Sequence, residues 1–164
     1  MQQIRGILFF LFIISALYCY GAGMMDYFAV YEPWKLIDAK DFAAYHQFQG
    51  KRIIWIFVIP SAIMTIFNLA SAIWPPRYLR RKWLWLALLA YMFDWIFSFT
   101  MQIPIQFELE RRKDLSLLSE LLRTNWWRFA ADTVHCCIVL FMIWTSLEKM
   151  RKSSLRHHSV IINP

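Results

Sequence analysis

The chain has 164 residues, 59% of them hydrophobic and only 18% charged, with a mean hydropathy of +0.39. Soluble domains run nearer half apolar and a quarter charged, and here the apolar residues come in long blocks; this excludes a water-soluble globule and predicts an integral membrane protein. A net charge of +7 suggests nucleic acid in a soluble protein. Here the basic residues flank the apolar blocks, positive-inside placement accounts for them, and no nucleic-acid partner is predicted.

The first apolar block covers residues 4–22, with Arg5 at its start and Gly21 and Gly23 at its end. Its outline resembles a signal peptide, but Tyr18 before Cys19 spoils a lipoprotein cleavage box, so a permanent first span is predicted. Residues 25–51 form an aromatic connecting segment interrupted by Pro33, in which Asp38 and Asp41 resemble a helix N-cap and its box partner. A helix starting there puts Phe42, Tyr45, His46 and Gln49 on one side. It reads first as an interfacial helix with Trp34 and the tyrosines at headgroup depth, and second as a lid carrying His46 inward.

The second span covers residues 52–74; Pro60 predicts a kink and Asn68 an interhelical hydrogen bond. After the basic turn PPRYLRRK comes a third span, residues 83–107, whose Asp94, Ser98, Gln102 and Gln106 recur every fourth residue and draw a slowly drifting polar seam. The charged loop that follows reads as a short amphipathic helix with Leu115, Leu118, Leu121 and Leu122 on its apolar side. A fourth span covers residues 125–147, and residues 148–164 form a basic, loosely ordered tail. The predicted fold is an all-α four-helix membrane bundle with a short amphipathic helix in each of the two longer loops.

Lys and Arg crowd the N-terminus, the RYLRRK turn and the tail, opposed there only by Glu148, which predicts cytoplasmic termini and an inner-membrane protein. The two longer loops then lie on the outer side of that membrane.

The stretch Leu122 to Trp144 carries the densest chemistry. At 100° per residue Asn125, Arg128, Asp132 and His135 fall within an arc of roughly 80°. At 1.5 Å per residue, Arg128 lies about 4 Å, Asp132 about 10 Å and His135 about 15 Å below Asn125. On the third span Gln102 lies about 6 Å and Asp94 about 18 Å below Gln106. Arg128 and Asp132 are thus expected to pair as i, i+4 neighbours, with Gln102 and Gln106 alongside and His135 approaching Asp94. Interhelical glue alone needs only Ser, Thr or Asn, whereas an ionised group at a helix centre costs about 2.5 to 3.5 kcal/mol on insertion scales. A functional site between spans 3 and 4 follows, with His135, Asp132, Arg128 and Asp94 as catalytic candidates and His46, Gln102, Gln106, Asn125 and Trp126 as ligand-binding ones. The expected pocket is lined by Trp126, Phe129, Gln102 and His135. His46, His135 and Cys136 have metal-ligand chemistry but no diagnostic spacing; no metal site is predicted, and no cofactor is identified. Cys19, Cys136 and Cys137 lie inside apolar segments and offer no disulfide framework.

Four features together resemble a group of small bacterial four-helix membrane proteins of unknown function, themselves distantly similar to the anthrone-oxygenase-like membrane family. They are the element order, Asp41-Phe42-x-x-Tyr45-His46, Gln102-x-Pro104-Ile105-Gln106 and Thr124-Asn125-Trp126-x-Arg128. The resemblance covers residues 27–144 and implies a pocket for an apolar, oxidisable molecule of the polycyclic phenol type, transformed without metal or flavin. Two readings result. One is an oxidoreductase or oxygenase-like enzyme, with His135 as proton acceptor held by Asp94 or Asp132, and Arg128 stabilising negative charge on an oxygen. The other is an accessory or lipid-binding subunit whose partners are lipid and other membrane proteins.

Overall fold

The computed structural model describes the backbone of residues 1–162 and the side chains of residues 1–153, all-helical apart from short connections. Four helical rods, Gln2–Leu36, Ala39–Ile73, Arg81–Leu109 and Leu115–Ser153, are long and apolar enough to cross a membrane and are called spans 1 to 4. Span 1 is α1 (Gln2–Met25) continued by a π-helical turn, Asp26–Tyr31, and a 3-10 turn, Glu32–Leu36. Span 2 is α2 (Ala39–Ile53), a π turn at Ile54–Val58, and α3 (Ile59–Ile73). Span 3 is α4 (Arg81–Phe97), a π turn at Ser98–Gln102, and α5 (Ile103–Leu109). Span 4 lies within the unbroken α6 (Leu115–Ile162).

The expected bundle is present, with a correction at its loop end. The amphipathic segments are not separate helices in loops: α2 runs into span 2, and residues 115–122 open α6. Apolar burial explains the continuation, because Phe42, Leu118, Leu121 and Leu122 bury the faces assigned to an interface in a cap core with Trp34 and Leu109. The tail is also corrected: α6 continues through it to Ile162, and the last two residues lie outside the described ones.

Each π turn ends two residues before a proline: Pro33, Pro60 or Pro104. Proline lacks an N–H and its ring crowds the carbonyl four residues back, here that of Ala29, Ile56 or Thr100. All three carbonyls lie inside a π turn. Widening the turn relieves the clash, and the residue before each proline donates five residues back: Glu32 to Tyr27, Ile59 to Ile54 and Ile103 to Ser98. The Ile56 carbonyl, which Pro60 cannot reach, accepts instead from the Tyr18 hydroxyl of span 1 at 2.8 Å. The kink read from Pro60 therefore takes the form of a π turn.

The spans pack in a ring, 1 on 2, 2 on 3, 3 on 4 and 4 on 1. Toward the tail end, Phe9, Phe12, Met64, Leu84, Val139 and Met142 form a closed core. Asn68 is fully buried there, as an interhelical hydrogen bond requires: with its amide assigned from its surroundings, it donates to the Leu84 carbonyl and accepts from the Leu88 N–H, both at 3.1 Å. At the loop end, Lys113 Nζ donates to the carbonyls of Lys35, at 2.8 Å, and Ile37, at 2.5 Å. The polar residues lie between the two cores.

Candidate functional site

Arg128 is the hub. Its Nε donates to Asp94 Oδ1 across from α4 at 3.0 Å and its Nη1 to Asn125 Oδ1 at 3.3 Å, while the Phe57 ring lies 5.6 Å from the guanidinium carbon. The pair expected within α6 does not form, since the ion-pair partner of Arg128 is Asp94 and not Asp132. Helical side chains lean toward the N-terminus, so Arg128 reaches away from a residue four positions later, and Asp94 meets it from the neighbouring span. Two of its five N–H groups are accounted for in this way, leaving donors for other partners.

A cavity of about 630 Å³ opens beside Arg128, within the size range of small-molecule sites. It lies between spans 2 and 3, closed by Tyr31 from span 1 and Arg128 from span 4, and not in the expected groove between spans 3 and 4. All three π turns contribute wall: Tyr31, then Ile54 and Phe57, then Ser98 and Gln102. A π turn displaces the residues beyond it from α-helical register, and three at one level leave the space that straight helices would fill.

Five of the predicted site residues line this cavity: His46, Asp94, Gln102, Gln106 and Arg128. His46 is 2% exposed, held edge-on to Trp34 and tilted against Phe42 at centroid distances of 4.5 and 5.6 Å. The inward-facing reading of α2 therefore replaces the interfacial one. Its Nε2 lies 2.8 Å from Gln106 Oε1. An amide oxygen only accepts, so Nε2 carries the hydrogen and Nδ1 is the basic nitrogen; it has no partner among the described residues. Gln102 Nε2 donates to Thr124 Oγ1 at 2.7 Å, leaving Gln102 Oε1 buried with no partner among the described residues. Two acceptors without donors thus accompany a guanidinium with donors to spare. That combination matches a ligand bearing both a hydroxyl and an oxygen that accepts hydrogen bonds.

The other four candidates lie elsewhere. Trp126 is 49% exposed, its ring 5.1 Å from Tyr27 and 5.4 Å from Phe129. His135 sits deeper, packed 6.0 Å from Phe12 and 5.0 Å from Tyr91, with no hydrogen bond to Asp94 or Asp132 and an unpartnered Nε2. The carboxylate-held base expected at His135 is absent, and it is His46 that has the orienting partner. Asn125 and Asp132 line a second, water-sized chamber between spans 1 and 4, which Arg128 also lines. Sequence reasoning missed Tyr31, Phe57, Tyr91 and Trp95 as cavity wall, and Asp26 as a lining residue of the small chamber. The available signal was the proline spacing, because Pro33, Pro60 and Pro104 mark the three turns that widen. Among the described residues no group of three or more His, Cys, Asp or Glu is placed to hold a metal ion.

Comparison with family models, with curated proteins and with solved structures finds no match.

Proposed function

We propose that the chain is a membrane enzyme acting on an amphipathic, oxygen-bearing small molecule held between spans 2 and 3. The observation that carries this reading is a 630 Å³ cavity sharing its walls with a free imidazole nitrogen, an unpaired amide oxygen and a buried guanidinium. The apolar body of the ligand lies along Ile54, Phe57, Trp95 and Phe99, and its oxygens meet the polar residues. His46 Nδ1 takes a proton from a phenolic or enolic hydroxyl, and Arg128 stabilises the resulting oxyanion. In the oxygenase-like form suggested by the motif resemblance, dioxygen is the co-substrate. A ring methylene of an anthrone-type molecule becomes a carbonyl, and its two hydrogens leave with the second oxygen atom as water.

The same reading places the chain in a bacterial inner membrane with both termini cytoplasmic, supported by Arg77, Arg80, Arg81, Lys82, Lys149, Arg151 and Lys152 at the tail end. Impermeant thiol reagents applied from outside, in a background lacking the native cysteines, are expected to label a cysteine placed at Ser116 and to spare one at Ser153. The reverse pattern overturns the orientation.

The substrate reading is tested with an anthrone as the probe, titrated into the full chain in nanodiscs. Gly50 lines the cavity, and a Cβ there meets nothing within 4 Å, so a side chain at this position starts from open space and Gly50→Trp serves as the blocking variant once its thermal unfolding matches the parent's. Saturable binding, at least about tenfold weaker in that variant (about 1.4 kcal/mol), accompanied by oxygen uptake that His46→Leu abolishes, is the expected result. Absence of binding above empty nanodiscs defeats the proposal. Binding without oxygen uptake favours the second reading, a non-catalytic lipid-binding or accessory subunit, to which the largely apolar cavity wall also lends support.

A further inference from the structure

The chamber between spans 1 and 4 has about 10 Å³ of space, close to the minimum that holds one water molecule. Gly23, Asp26, Asn125, Arg128 and Asp132 are among its walls, so both carboxyl groups stand close to the guanidinium. Arg128 already forms an ion pair with Asp94. Three carboxyl groups therefore surround one guanidinium, and fully ionised they leave two negative charges in excess. Asp132 is 7% exposed, and among the described residues its Oδ1 has no hydrogen-bond partner, nor does the buried Asp26 Oδ2. A buried carboxylate with no donor, competing with two other acids for one guanidinium already paired with Asp94, takes a proton in preference to remaining charged.

We propose that this chamber is a proton-binding site in which Asp132 holds a proton at neutral pH and shares it, through one water, with Asp26, while Arg128 donates to that water. The groups facing Asp132 are Cys19 and Asp26 from span 1, Tyr91 and Asp94 from span 3, and Arg128 and Cys136 on its own helix. Arg128 is the only cation among them. The proton comes from bulk solvent at the loop end, where Asp26 is the less buried of the two acids. The Asp132 O–H donates to the water, which donates in turn to the Asp26 carboxylate and accepts from an Arg128 N–H; these three bonds match the usual complement of a buried water. Arg128 lines both the chamber and the large cavity, so the proton sits one side chain from the ligand space. The site stands whether or not the cavity binds an anthrone.

Infrared spectroscopy of the full chain tests it. At neutral pH the wild type is expected to show a protonated-carboxyl C=O band that shifts with ¹³C-aspartate labelling and in D₂O, and that Asp132→Asn removes while Asp38→Asn leaves it intact. Gly23→Ala provides a variant that folds, because its methyl group comes no closer than 3.5 Å to Asp132 Oδ2 while occupying chamber space. It is expected to move the same band to higher frequency as the bridging water is lost. A wild type with no aspartic C=O band at neutral pH overturns the proposal, as does a band removed by Asp26→Asn or one that Gly23→Ala does not move.

Discussion

The two halves of the bundle are built from similar residues and solve opposite problems. In the tail-end half the helices are regular, and Phe9, Phe12, Met64, Leu84 and Met142 fill the centre. In the loop-end half, spans 1 to 3 each carry a π turn before a proline, and a cavity of about 630 Å³ opens between spans 2 and 3. Only span 4, which has no internal proline, is regular along its whole length, and it carries Arg128. The difference shows that the cavity is a property of backbone register more than of side-chain size: bulky aromatic residues border it without closing it.

The strongest way to break this comparison is to remove the charge at the junction of the halves. Arg128→Met leaves Asp94 buried without a cation and is expected to cost about 3 to 5 kcal/mol. Adding Asp94→Asn should restore most of that loss, as read by thermal unfolding in detergent. A single variant as stable as the parent shows that Asp94 does not need its partner. Next in size is the contrast between the halves themselves. Leu84→Ala, at a fully buried position in the tail-end core, is expected to cost about 2 to 5 kcal/mol, and Ile54→Ala, half-exposed on the cavity rim, under about 1 kcal/mol. Equal losses at the two positions mean that the loop-end half is packed like a core after all.

The smallest expected effect lies at the start of α6. Asp114 Oδ1 caps the helix, accepting from the Ser116 N–H at 2.9 Å and the Leu117 N–H at 3.2 Å, and from the Ser116 hydroxyl at 2.7 Å. Asp114→Ala is expected to lower stability by less than Leu84→Ala does. The Ser116 hydroxyl first, and then the backbone donors, hold this carboxyl below its usual range. Its stabilising contribution is therefore complete above the unfolded value near pH 4, about 3.9 for aspartate, and is lost as pH falls through the folded value. If the wild type and Asp114→Ala lose stability in parallel across that window, the cap contributes nothing.

Much of the architecture was legible in the chain because hydropathy is a local property: four apolar blocks, the Pro60 kink and the Asn68 contact all follow from short stretches. The membership of the site was partly legible too, since polar residues at helical spacing inside apolar blocks stand out. Their pairing was not. Depth counting assumed straight α-helices, and the π turn at Ser98–Gln102 lies between Asp94 and Gln106, so the seam does not present its members as a regular helix would. Gln102 accordingly meets Thr124, and Asp94 meets Arg128. The helix carrying His46 reads first as interfacial from the sequence because the extension of span 2 toward the N-terminus depends on packing against residues more than 60 positions away, such as Leu109 and Leu118.

The contact between Lys113 and the two carbonyls at the end of span 1 has a mechanical consequence. Spans 1 and 2 form one helical hairpin and spans 3 and 4 another, and Lys113 belongs to the second while Lys35 and Ile37 belong to the first. One ammonium group thus fastens the two hairpin bends together at the loop end. The hairpins cannot slide past each other along the bundle axis without uncovering both carbonyls and shearing the cap core that joins the same bends, so the least costly widening of the space between spans 2 and 3 is a hinge opening from the tail end.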